Sequence, residues 1–295
     1  MMIETIFFRR RCKTNFSAVR PFASHLLSFA IFVFCLVPAA AQVRLAGYRQ
    51  ADIDGRFEGT SWPAHWICVP QENHGYGVRH FRKTFDLEQV PSRFIVHVSA
   101  DNRYKLYVNG QIVGLGPVRC DEQNWNYETV DLAPWLRKGR NVVAAVVWNF
   151  DKYKPVAQMS FGRTEFLMQG NTDAERVVDT DASWRCIKNE SYGPMSYVVR
   201  GYFAAGNGEK VDAARYPWGW EQPDYDDSHW PSAVLGYRAS AKGSRDYPGR
   251  QLVPSPIPTS VLEPIRFSSV SASEGVDLPE DFPHSASEIN IPAGS

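Results

Sequence analysis

The run Asn141-Val142-Val143-Ala144-Ala145-Val146-Val147-Trp148 is apolar at both odd and even positions and rich in β-branched side chains. In a strand, successive side chains point to opposite faces, so a strand made from this run has no face to offer to water. Bounded by Lys138-Gly139, it reads as a central strand buried on both sides.

Period-two signals surround it. Arg79-His80-Phe81-Arg82-Lys83-Thr84-Phe85 alternates charged and aromatic residues, and Phe94-Ile95-Val96-His97-Val98 follows. Tyr104-Lys105-Leu106-Tyr107-Val108 alternates again and ends at Asn109-Gly110. Both positions of an Asn-Gly pair tolerate the positive φ of a type I′ turn, so residues 111–115 are expected to return as a paired strand. Met159-Ser160-Phe161 and Glu165-Phe166-Leu167-Met168-Gln169 read as two more strands. Helical signals are sparse: Asp131-Leu132-Ala133-Pro134-Trp135-Leu136 suggests one turn, with Asp as cap and Pro near its start. Many short strands with Gly, Pro and Asn between them predict an all-β fold, an antiparallel β-sandwich of jelly-roll type.

The texture changes after Gly170. Trp184, the Gly- and Asn-containing stretch 201–208, Trp218-Gly219-Trp220 and Asp224-Tyr225-Asp226-Asp227-Ser228-His229-Trp230 suggest longer loops among short strands. The expected layout is a sandwich over 42–170 and a second, loop-rich β region over 171–253 associated with it. Residues 254–295, rich in Pro and Ser, read as a linker or the start of an incomplete next domain.

The first 41 residues have a different character. A basic region is followed by the apolar run Leu26–Val37 and then by Pro38-Ala39-Ala40-Ala41, a small-residue cleavage site before Gln42. The run is shorter than the roughly 20 residues of a spanning helix. A signal peptide cleaved after Ala41 is expected, which makes the mature protein secreted or periplasmic with no membrane partner. A retained anchor and twin-arginine export through Arg9-Arg10 are the alternatives. The whole chain has 32 basic and 32 acidic side chains; without the leader 27 face 31, a net of −4. That balance argues against a nucleic-acid partner, which would need excess Lys and Arg to neutralise phosphates. Nine Trp exclude disorder for most of the chain. Past the leader, Cys68, Cys120 and Cys186 match no zinc spacing and are expected to be ordinary thiols, with one disulfide as the alternative.

Zinc-helix, nucleophile-elbow and phosphate-loop signatures are missing from the sequence. Asp224, Asp226 and Asp227 are expected to cap turns beside a buried Trp230, with a glycosidase carboxylate pair as the alternative. Asp101-Asn102 is a hairpin turn or a pair of Ca²⁺ ligands, because calcium prefers clustered carboxylate and amide oxygens. Trp125-Asn126-Tyr127 follows the polar segment Arg119-Cys120-Asp121-Glu122-Gln123-Asn124. Flat aromatic faces beside amide and guanidinium groups suit a sugar ring, so Trp125, Asn126, Tyr127 and Arg119 are carbohydrate-binding candidates. Simple packing is the alternative for Trp125 and Tyr127. No residue is assigned a catalytic role.

Several segments taken in order carry a resemblance. They are His80-Phe81-Arg82-Lys83-Thr84-Phe85, then Ser99-Ala100-Asp101-Asn102-Arg103-Tyr104-Lys105-Leu106-Tyr107-Val108-Asn109-Gly110, and Gly114-Leu115-Gly116-Pro117. Tyr127-Glu128-Thr129-Val130-Asp131-Leu132, Gly139-Arg140-Asn141-Val142-Val143, Asp226-Asp227-Ser228-x-Trp230 and Leu252-Val253-Pro254-Ser255-Pro256-Ile257-Pro258 continue it. Over most of residues 56–264 the chain resembles the N-terminal region of bacterial α-L-rhamnosidases, glycoside hydrolase family 78. Single pieces also resemble the galactose-binding-like sandwich of β-galactosidases and β-glucuronidases.

The resemblance implies a galactose-binding-like sandwich that supports an (α/α)₆ catalytic barrel lying downstream of it. The family's catalytic acids belong to that barrel, so none is carried over to this chain. Some related modules bind rhamnose with Ca²⁺, which leaves Asp101, Asn102, Trp125 and Asn126 as candidates; no cofactor is otherwise required. The expected partners are a rhamnose-containing polysaccharide or glycoside and the missing barrel. The expected function is that of a non-catalytic portion of a secreted rhamnosidase-like hydrolase. The alternatives are a stand-alone carbohydrate-binding module and the equivalent sandwich of a β-galactosidase-like enzyme.

Overall fold

A computed structural model describes residues 57–70, 74–195, 208–245, 249–258, 260, 262, 267–284 and 289. The leader read over residues 1–41 and the stretch 201–207 lie outside them. In chain order the strands are β1 (Ser61–Cys68), β2 (Gly77–Leu87), β3 (Ile95–Asp101), β4 (Arg103–Val108), β5 (Gln111–Gly116), β6 (Trp125–Asp131) and β7 (Gly139–Asn149). They continue with β8 (Glu165–Gly170), β9 (Arg185–Asn189), β10 (Tyr192–Pro194), β11 (Glu209–Val211), β12 (Val234–Ser240) and β13 (Leu252–Pro254). One sheet has the order β12-β1-β8-β3-β6-β13, a second has β5-β4-β7-β2-β9, and β10 and β11 form a separate pair. Pairing in both large sheets is antiparallel apart from the parallel β13–β6 contact.

The β7 run occupies the centre of the five-stranded sheet. Its Val143, Ala145 and Val147 enter the cluster that joins the two sheets, where Phe81 and Leu106 meet Val96, Val98, Phe166 and Met168. Its Val142, Ala144 and Val146 enter a second cluster with Trp220 and Trp230. The apolar residues at both parities are therefore explained by two buried faces. The segment carrying those tryptophans is pinned over the sheet by Arg82 of β2. That guanidinium donates to Asp227 Oδ2 at 2.8 Å, to the Gln222 carbonyl at 3.1 Å and to the carbonyl of Trp220. His80 beside it stacks edge-on with Trp220 at 4.0 Å, and burial pushes its pKa down to about 3.

The turn at Asn109-Gly110 joins β4 to β5 with φ of 49° and 83°, the doubly left-handed geometry expected of that pair. The turn after β6 is a 3₁₀ helix over Ala133–Trp135, and Asp131 Oδ1 accepts from the Ala133 amide at 3.0 Å. Residues 171–253 supply β9 to one large sheet and β12 and β13 to the other. Cys68, Cys120 and Cys186 are free thiols.

Two expectations are corrected. Asp101-Asn102 is not a hairpin turn: β3 pairs with β6 and β8, whereas β4 pairs with β5 and β7, so the chain changes sheet at this point. Met159-Ser160-Phe161 forms no strand. The Phe161 amide is committed to Asp101 Oδ2 at 2.7 Å and is unavailable to a ladder.

Candidate functional site

Two of the clefts that border the six-stranded sheet bring the candidate residues together. The first, with a volume of about 480 Å³, lies at its β13 edge and is lined by Arg119, Cys120, Asp121, Asn124, Asn126, Val253, Pro254 and Pro256. β13 forms that edge because Leu252, Val253 and Pro254 pair with Trp125, Asn126 and Tyr127. Asn126 Nδ2 donates to the Arg119 carbonyl at 3.2 Å and ties the loop wall to the strand. Asp121 shapes that loop by accepting from the Gln123 and Asn124 amides at 2.8 Å. The Asn124 side-chain amide, first among several donors, holds the Asp121 carboxyl below its usual range. Burial pushes the Cys120 thiol up, so it is not a ready thiolate.

Of the four carbohydrate-binding candidates, the structure brings Arg119 and Asn126 to this cleft. Trp125 and Tyr127 have the opposite parity on β6 and enter a buried cluster with Phe57, Trp62, Trp66 and Leu252. Trp125 is 0% exposed and Tyr127 4% exposed. Tyr127 meets the Trp62 ring edge-on at 5.1 Å, and Trp125 lies 5.3 Å from the Phe161 ring. Neither ring offers a face to a sugar, so the stacking expectation is corrected and packing is the role both rings have.

The second cleft, about 260 Å³, is lined by Trp66, Phe161, Arg163, Glu165, Tyr237, Arg238, Gly249 and Arg250. Its floor is a buried ion triad. Arg250 Nη2 donates to Asp101 Oδ2 at 2.7 Å and Nη1 to Glu165 Oε2 at 2.5 Å. The guanidinium carbon stands 4.3 Å from the Trp66 ring centre, 4.8 Å from Phe161 and 5.0 Å from Trp125. Positive charge over aromatic faces is attracted by the ring quadrupole, and more strongly so when desolvated. Arg250 sits in the loop Gly249-Arg250-Gln251 with no periodic or motif signal, so sequence reasoning missed it.

Asp101 and Asn102 do not fit a calcium ion in this arrangement. The Asp101 carboxylate serves Arg250, the Phe161 amide and the Asn102 side-chain amide, while Asn102 Oδ1 accepts from the Phe150 amide at 2.9 Å. Calcium takes six to eight oxygen ligands. Among the described residues no group of three or more His, Cys, Asp or Glu is placed to hold a metal.

The acidic loop behaves as a structural element. Asp226 Oδ1 accepts from the Ser228 amide at 3.0 Å, Asp227 holds Arg82, and Trp230 is buried beside them. Elsewhere, burial pushes Glu128 up to about 7, although the Tyr104 hydroxyl at 3.0 Å and the Val118 amide at 2.8 Å both donate to it.

The fold and its clefts define a β-sandwich module whose two sheets are covered on their outer faces as well as joined through a common core. The sequence profile of the alpha-L-rhamnosidase N-terminal domain matches residues 89–260, and the chain belongs to that family. An alpha-L-rhamnosidase of Alteromonas sp. (strain LOR) is 24% identical over 240 residues, which cover 74% of this chain and 25% of that protein. One from Streptomyces avermitilis is 26% identical over 179 residues, covering 60% and 14%. The crystal structure of a GH78 family rhamnosidase of Bacillus sp. GL1 superposes with a TM-score of 0.55 at 30% identity, covering 66% of this chain and 20% of that one. The chain thus spans a quarter or less of the length of these relatives.

Proposed function

We propose that this chain is the non-catalytic N-terminal sandwich of an exported α-L-rhamnosidase, supporting the catalytic barrel and holding rhamnose-containing glycan at the β13-edge cleft. The observation that carries the reading is the family match over residues 89–260, which includes strands of both large sheets. The Alteromonas and Streptomyces relatives are α-L-rhamnosidases, and their greater length leaves room for a catalytic domain. Glycosidases need two carboxyl groups flanking the scissile bond about 5–10 Å apart. Here Asp101 and Glu165 both grip Arg250, and a carboxylate so engaged is a poor proton donor or nucleophile.

Glycan holding is assigned to Arg119 and Asn126, which offer guanidinium and amide groups beside the apolar rings of Pro254 and Pro256. Export accounts for the leader composition of residues 1–41. Isothermal titration of the chain with a rhamnose-containing oligosaccharide tests the binding. The wild type is expected to bind, and Arg119→Ala, which removes an exposed side chain, is expected to lose most of the affinity while melting at nearly the wild-type temperature. A wild type that releases no heat at millimolar oligosaccharide would remove glycan holding from the account.

A further inference from the structure

The Asp101 carboxylate, one of the two candidate calcium ligands, is engaged by a side chain. Asp101 Oδ2 receives Arg250 Nη2 and the Phe161 amide, each at 2.7 Å, and the other oxygen receives the Asn102 amide. Glu165 Oε2 receives Arg250 Nη1. The side chains of Asp101, Glu165 and Arg250 are 0%, 4% and 6% exposed, so water does little to screen these charges. A calcium ion placed here would meet a fixed positive charge at close range and find both Asp101 oxygens and Glu165 Oε2 already taken.

We infer that Arg250 is a built-in cation: its guanidinium stands where a divalent ion would neutralise Asp101 and Glu165, and it makes this sandwich calcium-independent. The guanidinium suits the place because it is planar, always charged and weakly hydrated. It bridges two carboxylates while Trp66, Phe161 and Trp125 surround its carbon. It also joins three distant pieces of chain: the sheet crossover at Asp101, the start of β8 at Glu165, and the loop that leads into β13. A calcium ion would have done that joining only when bound; a covalently attached cation does it at any calcium concentration. The inference is independent of glycan binding.

The test uses the full chain, with thermal melts in EDTA and in millimolar calcium, and terbium titration read through tryptophan-sensitised emission. For the wild type we expect equal melting temperatures and no saturable sensitised emission. Arg250→Ala releases the two carboxylates within reach of Trp66 and Trp125. It is expected to gain saturable emission that calcium competes away, together with a melting temperature that rises by several degrees in calcium. Two results would overturn the inference: a wild type stabilised by calcium with the effect lost in Asp101→Asn, or a folded Arg250→Ala that gains no cation binding. Should Arg250→Ala fail to fold, the wild-type melts decide between the two.

Discussion

Arg250 and Asp101 lie 149 residues apart in sequence and 2.7 Å apart in space, and their contact ties the loop before the last sheet strand to the point where the chain changes sheet. Breaking a buried pair by removing one partner leaves an uncompensated charge in a poorly solvated place, at a cost of about 3–5 kcal/mol. Arg250→Met is expected to lose about that much in urea unfolding. Adding Asp101→Asn to it is expected to restore part of the loss, because the second change removes the orphaned charge. Strictly additive losses in the double-mutant cycle would mean that the two side chains are not coupled.

Glu128 gives the sandwich a pH dependence of unusual sign for a carboxylate. Burial, acting against its hydrogen bonds, raises its folded pKa from 4.5 to about 7. The native state therefore holds a proton that the unfolded chain has released, and the stability due to this group is fully present below pH 4.5 and lost as pH rises through about 7. Between those values the slope is about −1.4 kcal/mol per pH unit for this single group. Glu128→Gln keeps an oxygen for the Val118 amide and removes the titration. Urea midpoints for the variant should fall less steeply with pH than those of the wild type; parallel curves would contradict the assignment. Asp179, raised by burial to about 6, slopes the same way and is present in both proteins, so the difference isolates Glu128.

Trp125 is predicted to be a stability residue. Its ring is fully buried against Phe161 and the Arg250 guanidinium. Trp125→Ala should cost about 3–5 kcal/mol in thermal or denaturant unfolding. A variant that kept wild-type stability would return Trp125 to the list of sugar contacts.

What could be read in the sequence was what neighbouring residues decide. The parity of β7, the left-handed turn at Asn109-Gly110 and the buried Trp230 beside a capped acidic loop all follow from patterns a few residues long. The errors arose where distant residues decide. Asp101-Asn102 has the composition of a turn, yet the partners of β3 and β4 lie in different sheets. Trp125 and Tyr127 follow a polar segment and look exposed, but Leu252 pairs beside Trp125 and Trp62 packs against Tyr127. Arg250 has no local signature at all, because its role is set by Asp101 and by Glu165, 85 residues away. At the β13-edge cleft, Arg119 and Asn126 were legible as polar residues beside a strand. Their neighbours Val253, Pro254 and Pro256 were not, since only the parallel β13–β6 contact brings them there.

The division of labour proposed for this chain is tested most directly by the rate at which the purified 295-residue protein releases nitrophenol from p-nitrophenyl α-L-rhamnopyranoside. The account predicts a rate equal to that of buffer, at neutral and at mildly acidic pH, because Asp101, Glu165 and Asp227 hold arginines and Asp226 caps a turn. Release that rises in proportion to the concentration of the chain and co-purifies with it would contradict the account and place a catalytic pair within the sandwich itself.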